Sequence, residues 1–301
     1  MTAVDPRSDG ADVVLSTWGF AEGDAITPEL TAMRQLGGGS AYEAWLAFDE
    51  ITYGPVVVKV VRPDDVDDEH TVRSMEREAR ALDVAHHPVT IRGLRHDAAG
   101  PRPHLVLEHV EGPSLSRLIR RHRRLAPEQY LPLAIDVASA LHFFRRVDVC
   151  HLDIKPSNVI MGSPARLIDL SVARPEAKAA ALTGTIGTDA YMAPEQACPG
   201  PYGVPGYAAD VWGLGTTLFH AIAGHRPFRD GDPSAAEPAQ RFPQLLEAPA
   251  ELPGDVPPTV QKLVHAMLEP DPADRPLPHE VADALEPEVA ALPAPKLTWK
   301  S

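Results

Sequence analysis

The chain has 301 residues, of which 44% are hydrophobic and 23% charged, a composition typical of a folded protein with a substantial core. Its formal net charge of −14 argues against nucleic acid and anionic membrane surfaces as partners. The two cysteines, Cys150 and Cys198, are too few for a disulfide scaffold or a cysteine zinc site. The N-terminus lacks the pattern of a signal peptide and no apolar run is long enough to span a membrane, so we expect a cytoplasmic location.

The first third of the chain has the pattern of an antiparallel β-sheet with one helix. Residues 1–23 read as a flexible tail. Short apolar runs bounded by turn residues predict five strands, at 31–36, 42–48, 56–61, 89–94 and 104–109. Met75, Ala79 and Leu82 recur at helical spacing and predict a helix over 70–85. A turn at 97–100 separates the last two strands.

From residue 110 the pattern becomes mostly helical. Ser114 is placed to cap a short helix, and Pro127 stands at the start of a longer one that runs to Arg146. Apolar periodicity predicts three further helices, at 208–223, 259–268 and 278–285. Short strands are predicted around 159–160 and 166–168, followed by a long loop over 169–195 and, at the end of the chain, a tail over 288–301. The predicted fold class is therefore α+β.

The densest group of chemically capable residues runs from His151 to Asn158. Phosphoryl transfer to a hydroxyl needs a carboxylate that orients the hydroxyl and accepts its proton, oxygen ligands for magnesium, and a cation near the transferred group. Asp153, Asn158, Asp169 and Lys155 supply these groups within one loop region between a helix and two short strands. Each alone would be an ordinary polar loop residue, but together they indicate a phosphotransferase.

In the order of its motifs the sequence resembles the eukaryotic-type protein kinases, specifically the bacterial serine/threonine branch, over residues 30–285. The segment from Leu36 to Ser40 resembles the glycine-rich phosphate loop, and Val56 to Lys59 resembles the strand that carries the phosphate-binding lysine. Asp169-Leu170-Ser171 takes the place of the DFG motif, and Thr188 to Glu195 resembles the end of an activation segment. The resemblance implies a bilobal kinase domain over 24–287, with a small antiparallel β N-lobe holding one helix (24–109) and a larger, mostly helical C-lobe (110–287).

The resemblance also implies roles for individual residues. Asp153 would orient the acceptor hydroxyl with Lys155 beside it, Lys59 and Glu78 would form the phosphate clamp, and Asn158 and Asp169 would hold Mg²⁺, or Mn²⁺ in its place. The residues implied to bind ATP are Leu36, Gly37, Gly38, Gly39, Ser40, Ala44, Val57, Lys59, Leu107, Glu108, Val110, Asn158, Ile160 and Asp169.

Further framework contacts are implied in the same way. Thr188 would brace Asp153 and Lys155. Asp210 would anchor the catalytic loop, and a buried ion pair would join Glu195 to Arg275.

Three positions depart from the family pattern. Leu152 replaces the arginine that precedes the catalytic aspartate and that pairs with an activation-loop phosphate in kinases that have it. We therefore expect that activity does not depend on activation-loop phosphorylation, even if the chain phosphorylates itself at Thr183 or Thr185. Tyr42 stands at the third glycine of the phosphate loop, where it restricts the backbone, and Ser171 replaces the DFG glycine.

The leading hypothesis is a serine/threonine protein kinase that uses ATP and protein substrates. A pseudokinase, with the same fold serving as a nucleotide sensor or docking module, is the main alternative. A small-molecule phosphotransferase of the aminoglycoside or choline type shares the catalytic loop pattern but lacks the Ala-Pro-Glu segment at 193–195. The net negative charge favours basic protein substrates, although net charge says little about a local groove.

Overall fold

Buried and half-buried side chains alternate between residues 42 and 49, the pattern of a strand with one buried face. This strand belongs to a sheet in the computed structural model, which describes residues 15–293. The strands are β1 (Ala25–Thr27), β2 (Leu30–Gly38), β3 (Tyr42–Asp49), β4 (Gly54–Val61), β5 (Gly93–Asp97) and β6 (His104–Glu108). They form one six-stranded sheet in the order β1-β2-β3-β4-β6-β5, and neighbouring strands from β1 to β4, as well as β4 and β6, pair antiparallel. Helix α1 (Glu69–Val84) is the one α-helix that begins between the first and the last strand of this sheet.

One face of this sheet forms a buried apolar core, and residues before the first strand pack against it. The core side chains are Ile26, Leu30, Ala32, Trp45, Ala47, Val56, Val58, Val60 and Val106. Trp18 and Phe20 stack on each other and Phe20 meets the Trp45 ring edge-on. The Trp18 indole nitrogen also donates to the carbonyl of Val61 at 2.8 Å. Residues 15–23 are therefore packed and differ from the predicted tail, whereas residues 1–14 lie outside the described part of the chain.

The remaining part of the chain is mostly helical. Its helices are α2 (Leu115–His122), α3 (Pro127–Arg146), α4 (Glu176–Ala180), α5 (Pro194–Ala197), α6 (Tyr207–Ala223), α7 (Pro238–Arg241), α8 (Pro258–Met267) and α9 (Pro278–Ala290). A short hairpin joins β7 (Val159–Ile160) to β8 (Arg166–Leu167). Proline occupies the first turn of several of these helices, where its missing N–H costs nothing. As predicted, the Ser114 hydroxyl caps α2 by accepting the N–H of Arg117 at 3.3 Å.

The chain divides into two compact units. Among the described residues, the first consists of 15–76 together with 94–109, and the second consists of 77–93 together with 110–293. The predicted N-lobe range of 24–109 differs from this division because residues 77–93 belong with the helical unit. The predicted α+β class, with an antiparallel sheet in one unit and mostly helices in the other, is confirmed.

Several elements differ from their predictions. The strand predicted at 89–94 lies instead at Gly93–Asp97, because Val89 and Ile91 exchange backbone hydrogen bonds with Leu167 and owe their burial to that pairing. Strand β1 and helix α4 were not predicted, since segments of three and five residues carry no periodicity. Helix α9 continues to Ala290 and so overlaps the predicted C-terminal tail, whose residues from 294 onward lie outside the described range. Among the described residues, no helix is long and apolar enough to cross a membrane.

Candidate active site

The loop between α3 and β7 is anchored by hydrogen bonds to one carboxylate. Asp210 of α6 accepts the backbone N–H of His151 at 2.8 Å and that of Leu152 at 2.6 Å. Burial raises the pKa of Asp210 to about 7, while the two N–H donors act in the opposite direction. Leu152 adopts the left-handed conformation (φ 63°), so the chain turns sharply just before Asp153. The anchoring contact expected of Asp210 is present.

The side chains of Asp153, Lys155 and Thr188 form a closed triangle of contacts. The Thr188 hydroxyl donates to Asp153 Oδ1 at 2.8 Å and accepts from Lys155 Nζ at 2.7 Å. Lys155 Nζ also lies 2.7 Å from Asp153 Oδ2. The contacts expected of Thr188 are therefore present, and they fix both the direction of the carboxylate and the position of the lysine. A carboxylate beside a fixed cation can orient a hydroxyl and take its proton.

Asn158 and Asp169 carry the oxygen atoms suited to a divalent cation. Asn158 is buried, and its Nδ2 donates to the Asp153 carbonyl at 3.0 Å and to Asp153 Oδ2 at 3.1 Å, which sets the orientation of its amide group. Its backbone carbonyl accepts the N–H of Ile168, the residue before Asp169. Amide and carboxylate oxygens are hard ligands, and Mg²⁺ is commonly held by one or two of them together with phosphate oxygens. No cluster of three His, Cys, Asp or Glu suited to a metal occurs among residues 15–293.

In the first unit, the predicted phosphate loop comprises the exposed end of β2 and the first two residues of the turn to β3. Residues 36–40 are all exposed, and Gly37 has a positive φ of 150°. A Cβ on Gly38 would lie 2.5 Å from the carbonyl oxygen of Tyr42, so glycine is required at this position. The Gly39 N–H donates to the same carbonyl at 3.0 Å and closes the turn.

Arg62 fixes this turn and was not singled out from the sequence. Its Nε donates to the Gly39 carbonyl at 2.9 Å, its backbone N–H to the Ala41 carbonyl at 2.9 Å, and its Nη1 to the Ser16 carbonyl at 2.6 Å. Tyr42 also acts as an anchor, because its hydroxyl donates to the carbonyl of Thr71 at 2.9 Å. No sequence motif marks Arg62, since its partners lie 21 to 46 residues away.

Strand pairing places several of the predicted nucleotide residues on one face of the sheet. Lys59 pairs with Ala44 of β3, and Val57 pairs with Leu107 of β6. Because side chains alternate along a strand, Val57 and Lys59 lie on the face opposite the buried Val56, Val58 and Val60. Glu108 ends β6 and is half-buried, as are Val110 and Ile160 in the second unit. Glu78 is buried in the part of α1 that belongs to the second unit, and its pairing with Lys59 stays a prediction.

The comparisons with known proteins identify the family. The family model described as "Protein kinase domain" matches residues 30–284. The chain belongs to the protein kinase family. It is 35% identical over 264 residues to the serine/threonine-protein kinase PkaB of Streptomyces coelicolor, a match covering 83% of this chain and 60% of that protein. It is 32% identical over 263 residues to the serine/threonine-protein kinases drp72 of Corynebacterium efficiens, covering 84% and 49% respectively.

A third relative, the serine/threonine-protein kinase PknB of Mycobacterium leprae, is 30% identical over 207 residues, which cover 66% of this chain and 33% of that protein. The matches thus span between a third and three fifths of the length of these relatives. The resemblance to bacterial eukaryotic-type serine/threonine kinases, made from the motifs alone, is confirmed.

The segment that corresponds to the activation segment of the family is joined to the catalytic loop at several points. Cys150 and Arg174 exchange backbone hydrogen bonds of 2.8 and 3.0 Å, and the Glu176 N–H donates to Asp148 Oδ1 at 2.9 Å. Burial raises the pKa of the Cys150 thiol, so this cysteine is a core residue rather than a reactive one. Helix α4 follows these contacts, and the hydroxyl-bearing Thr183 lies beyond it on the exposed surface.

Gln196 is a second functional residue that sequence reasoning missed. It is 2% exposed, and its Nε2 donates both to the Leu152 carbonyl at 2.9 Å and to the Ile186 carbonyl at 3.1 Å. Its Oε1 accepts the N–H of Ala193 at 3.2 Å. One amide group therefore joins the residue before Asp153 to the activation segment. Gly187 lies alongside, where a Cβ would be only 2.7 Å from the Leu152 carbonyl.

The end of the activation segment is fixed by a buried ion pair. Arg275 Nη1 and Nη2 contact Glu195 Oε1 and Oε2 at 2.6 and 2.8 Å, and both side chains are fully buried. The remaining guanidinium N–H groups donate to the carbonyls of Ala208, Glu269 and Pro270. The pair expected from the resemblance is present, and the arginine uses all five of its N–H donors.

Proposed function

We propose that the chain is a serine/threonine protein kinase that transfers the γ-phosphoryl group of ATP to hydroxyls of protein substrates. The observation that carries this proposal is the triangle of Asp153, Thr188 and Lys155, in which a carboxylate and a cation are held within 2.7–2.8 Å contacts by a threonine of the activation segment. The triangle forms only if three polar side chains from two separate segments are positioned together. A loop with a purely structural role does not require this positioning.

The residues divide the chemistry between them. Asp153 accepts the proton of the acceptor hydroxyl, and Lys155 neutralises charge that develops on the transferred phosphoryl group. Bound Mg²⁺, held by Asn158 and Asp169, would neutralise charge on the phosphate oxygens of ATP. Lys59 and Glu78 form the phosphate clamp. The phosphate loop (36–40) offers backbone N–H groups, and Glu108 and Val110 present backbone to adenine.

The proposal is tested by incubating the purified protein with γ-labelled ATP, Mg²⁺ and a generic protein acceptor. We expect label on serine or threonine, and none when the metal is removed by a chelator. Label on tyrosine or on a small molecule alone would contradict the proposal. No label together with thermal stabilisation by ATP would instead support the pseudokinase alternative, because a ligand stabilises the folded state it binds.

We also propose that activity does not require a phosphorylated activation segment. In the unphosphorylated chain, Gln196 already joins the Leu152 carbonyl to Ile186, and Thr188 already contacts Asp153 and Lys155. Leu152 cannot pair with a phosphate, and neutral hydrogen bonds take over the link between the loop and the segment. The support for this proposal is that both contacts exist without any added charge.

Replacement of both Thr183 and Thr185 by alanine is expected to retain most of the peptide kinase activity. Both residues are exposed and neither side chain is needed for the contacts of Gln196 or Thr188. The measurement is kcat and KM for a peptide substrate, compared with the wild type after phosphatase treatment. A loss of activity of more than about tenfold, equivalent to about 1.4 kcal/mol, would show that phosphorylation does gate the enzyme.

Gln196→Leu is expected to lower kcat by at least about tenfold with little change in the KM for ATP, because two carbonyls lose their donor and each such loss costs about 1–3 kcal/mol. Gln244→Leu is the matched control. Gln244 is equally buried, and its Nε2 donates to the carbonyls of Asp189 and Met192 without contacting the catalytic loop. We expect the control to raise the KM for peptide while preserving kcat. Equal losses of kcat in both variants would leave Gln196 with a structural role only.

A further inference from the structure

Helix α2 carries the highest density of positive charge on an acidic chain. The eight residues 117–124 contain five arginines and one histidine, and no acidic residue occurs between 112 and 127. The chain as a whole has a formal net charge of −14. The local charge of this surface is therefore opposite in sign to that of the protein, which favours a negatively charged partner at this place.

The charged side of α2 faces solvent and its other side is part of the core. Leu115 and Ile119 are buried at 0% and 4% exposure. One arginine lies between these two residues and others follow Ile119, and their side chains are exposed. We name this set the α2 basic patch: Arg117, Arg120, Arg121 and Arg123.

The α2 basic patch has no partner within the described part of the chain. None of its four side chains makes a hydrogen bond or an ion pair with residues 15–293. The neighbouring Arg124 shows the contrast, since it pairs with Asp255 at 2.7 Å and donates to the carbonyl of Ile222.

The electrostatics of the helix explain only part of the patch. Arg120 and Arg121 lie in the last turn of α2, where the helix dipole favours positive charge. Arg117 lies in the first turn, where the dipole disfavours positive charge.

The helix that carries the patch packs beside the catalytic loop. Residues at the start of α2 are joined to the strand that follows the loop, because Ser114 bridges to Ile160 and the Met161 N–H donates to the Pro113 carbonyl at 2.9 Å. The helix itself packs against the turn Pro156–Asn158. An eight-residue helix is about 12 Å long, and an extended peptide advances about 3.3 Å per residue. On this scale, a peptide whose phosphoacceptor is held at Asp153 would need to extend only a few residues to come alongside α2.

We propose that the α2 basic patch binds an acidic segment of the protein substrate, adjacent in sequence to the phosphorylated serine or threonine. The proposal rests on the kinase activity proposed above and names the substrate class of that same site. It reverses the expectation of basic substrates drawn from the net charge. The formal charge of residues 117–124 is positive, whereas that of the whole chain is −14.

The test compares peptides that share one serine acceptor and differ in their flanks, which are acidic before the acceptor, acidic after it, or neutral. Binding is measured by fluorescence anisotropy and phosphorylation by kcat and KM, on the full chain. An acidic peptide should bind about tenfold tighter than the neutral one, since each exposed charge pair contributes roughly twofold. This preference should vanish near 1 M salt, where the Debye length falls to about 3 Å.

Charge reversal of the patch supplies the decisive variant. Arg117→Glu/Arg120→Glu/Arg121→Glu should abolish the acidic preference while leaving the kcat/KM of the neutral peptide and the KM for ATP unchanged. The matched control, Arg73→Glu/Arg146→Glu/Lys262→Glu, changes the net charge equally at exposed positions outside α2 and should keep the preference.

Two results would overturn the proposal, namely equal losses in both triple variants, or binding of a labelled RNA by the patch with no selection among peptides. If acidic peptides bind the patch but no peptide is phosphorylated, the patch is a docking surface and the proposed kinase activity fails instead.

Discussion

Asp153→Asn is expected to lower kcat for peptide phosphorylation by about 10²–10⁴-fold, the range associated with loss of a general base, with little change in the KM for ATP. The reason lies in the geometry around the carboxylate. Asp153 Oδ1 accepts from Thr188 and Oδ2 faces both Lys155 and Asn158. Asparagine keeps the shape of the side chain, but its amide cannot accept the hydroxyl proton, and an NH₂ group facing Lys155 removes the attraction that holds the lysine.

The measurement separates chemistry from binding and from folding. Steady-state kinetics with a peptide and ATP give kcat and both KM values, and a thermal melt shows whether the variant is folded. Asp97→Asn is the matched control, because Asp97 only caps the turn between β5 and β6 by accepting the N–H groups of Ala99 and Gly100. An Asp153→Asn enzyme with a kcat within tenfold of the wild type would remove Asp153 from the proton-transfer role.

The long helices and the catalytic loop could be predicted because their signals are local. Helix α3 was predicted within one residue of its observed ends, since Pro127 marks its start and apolar residues recur along it. The contacts of Asp210 and Thr188 followed from the order of motifs, which the kinase resemblance converts into spatial neighbours. Within the site, the sequence thus pointed to the groups that we propose perform the chemistry.

The residues that hold those groups in place could not be predicted in the same way. Gln196 acts on a carbonyl 44 positions earlier in the chain, and Arg62 acts on one 23 positions earlier. Nothing in the local pattern distinguishes them from surface polar residues, because their role depends on which carbonyls the fold brings near. The packing of Trp18 was missed for the same reason, since its acceptor is the carbonyl of Val61. Side-chain contacts to distant backbone that no family motif marks become visible only in the folded chain.

Loss of one partner of the Glu195–Arg275 pair should be the most destabilising single change outside the apolar core. Arg275→Met is expected to lower the free energy of unfolding by about 3–5 kcal/mol, because it leaves a buried carboxylate without a partner. Three carbonyls lose their donors at the same time, those of Ala208, Glu269 and Pro270. The guanidinium also lies 5.0 Å from the centre of the Trp212 ring, a contact that methionine replaces only in part.

The loss of stability in Arg275→Met should depend on the Glu195 carboxylate that is left without a partner, and a second substitution at Glu195 tests this dependence. A double variant, Arg275→Met/Glu195→Gln, removes the buried charge and should recover a substantial part of the lost stability in urea denaturation, although the carbonyls stay without donors. Arg73→Met is the control, since Arg73 and Glu69 form an exposed pair at 2.6 Å whose loss should change the unfolding free energy by less than about 1 kcal/mol. A double variant as unstable as Arg275→Met would mean that the arginine acts through the three carbonyls rather than through Glu195, and that the ion pair contributes little to the anchoring of the activation segment.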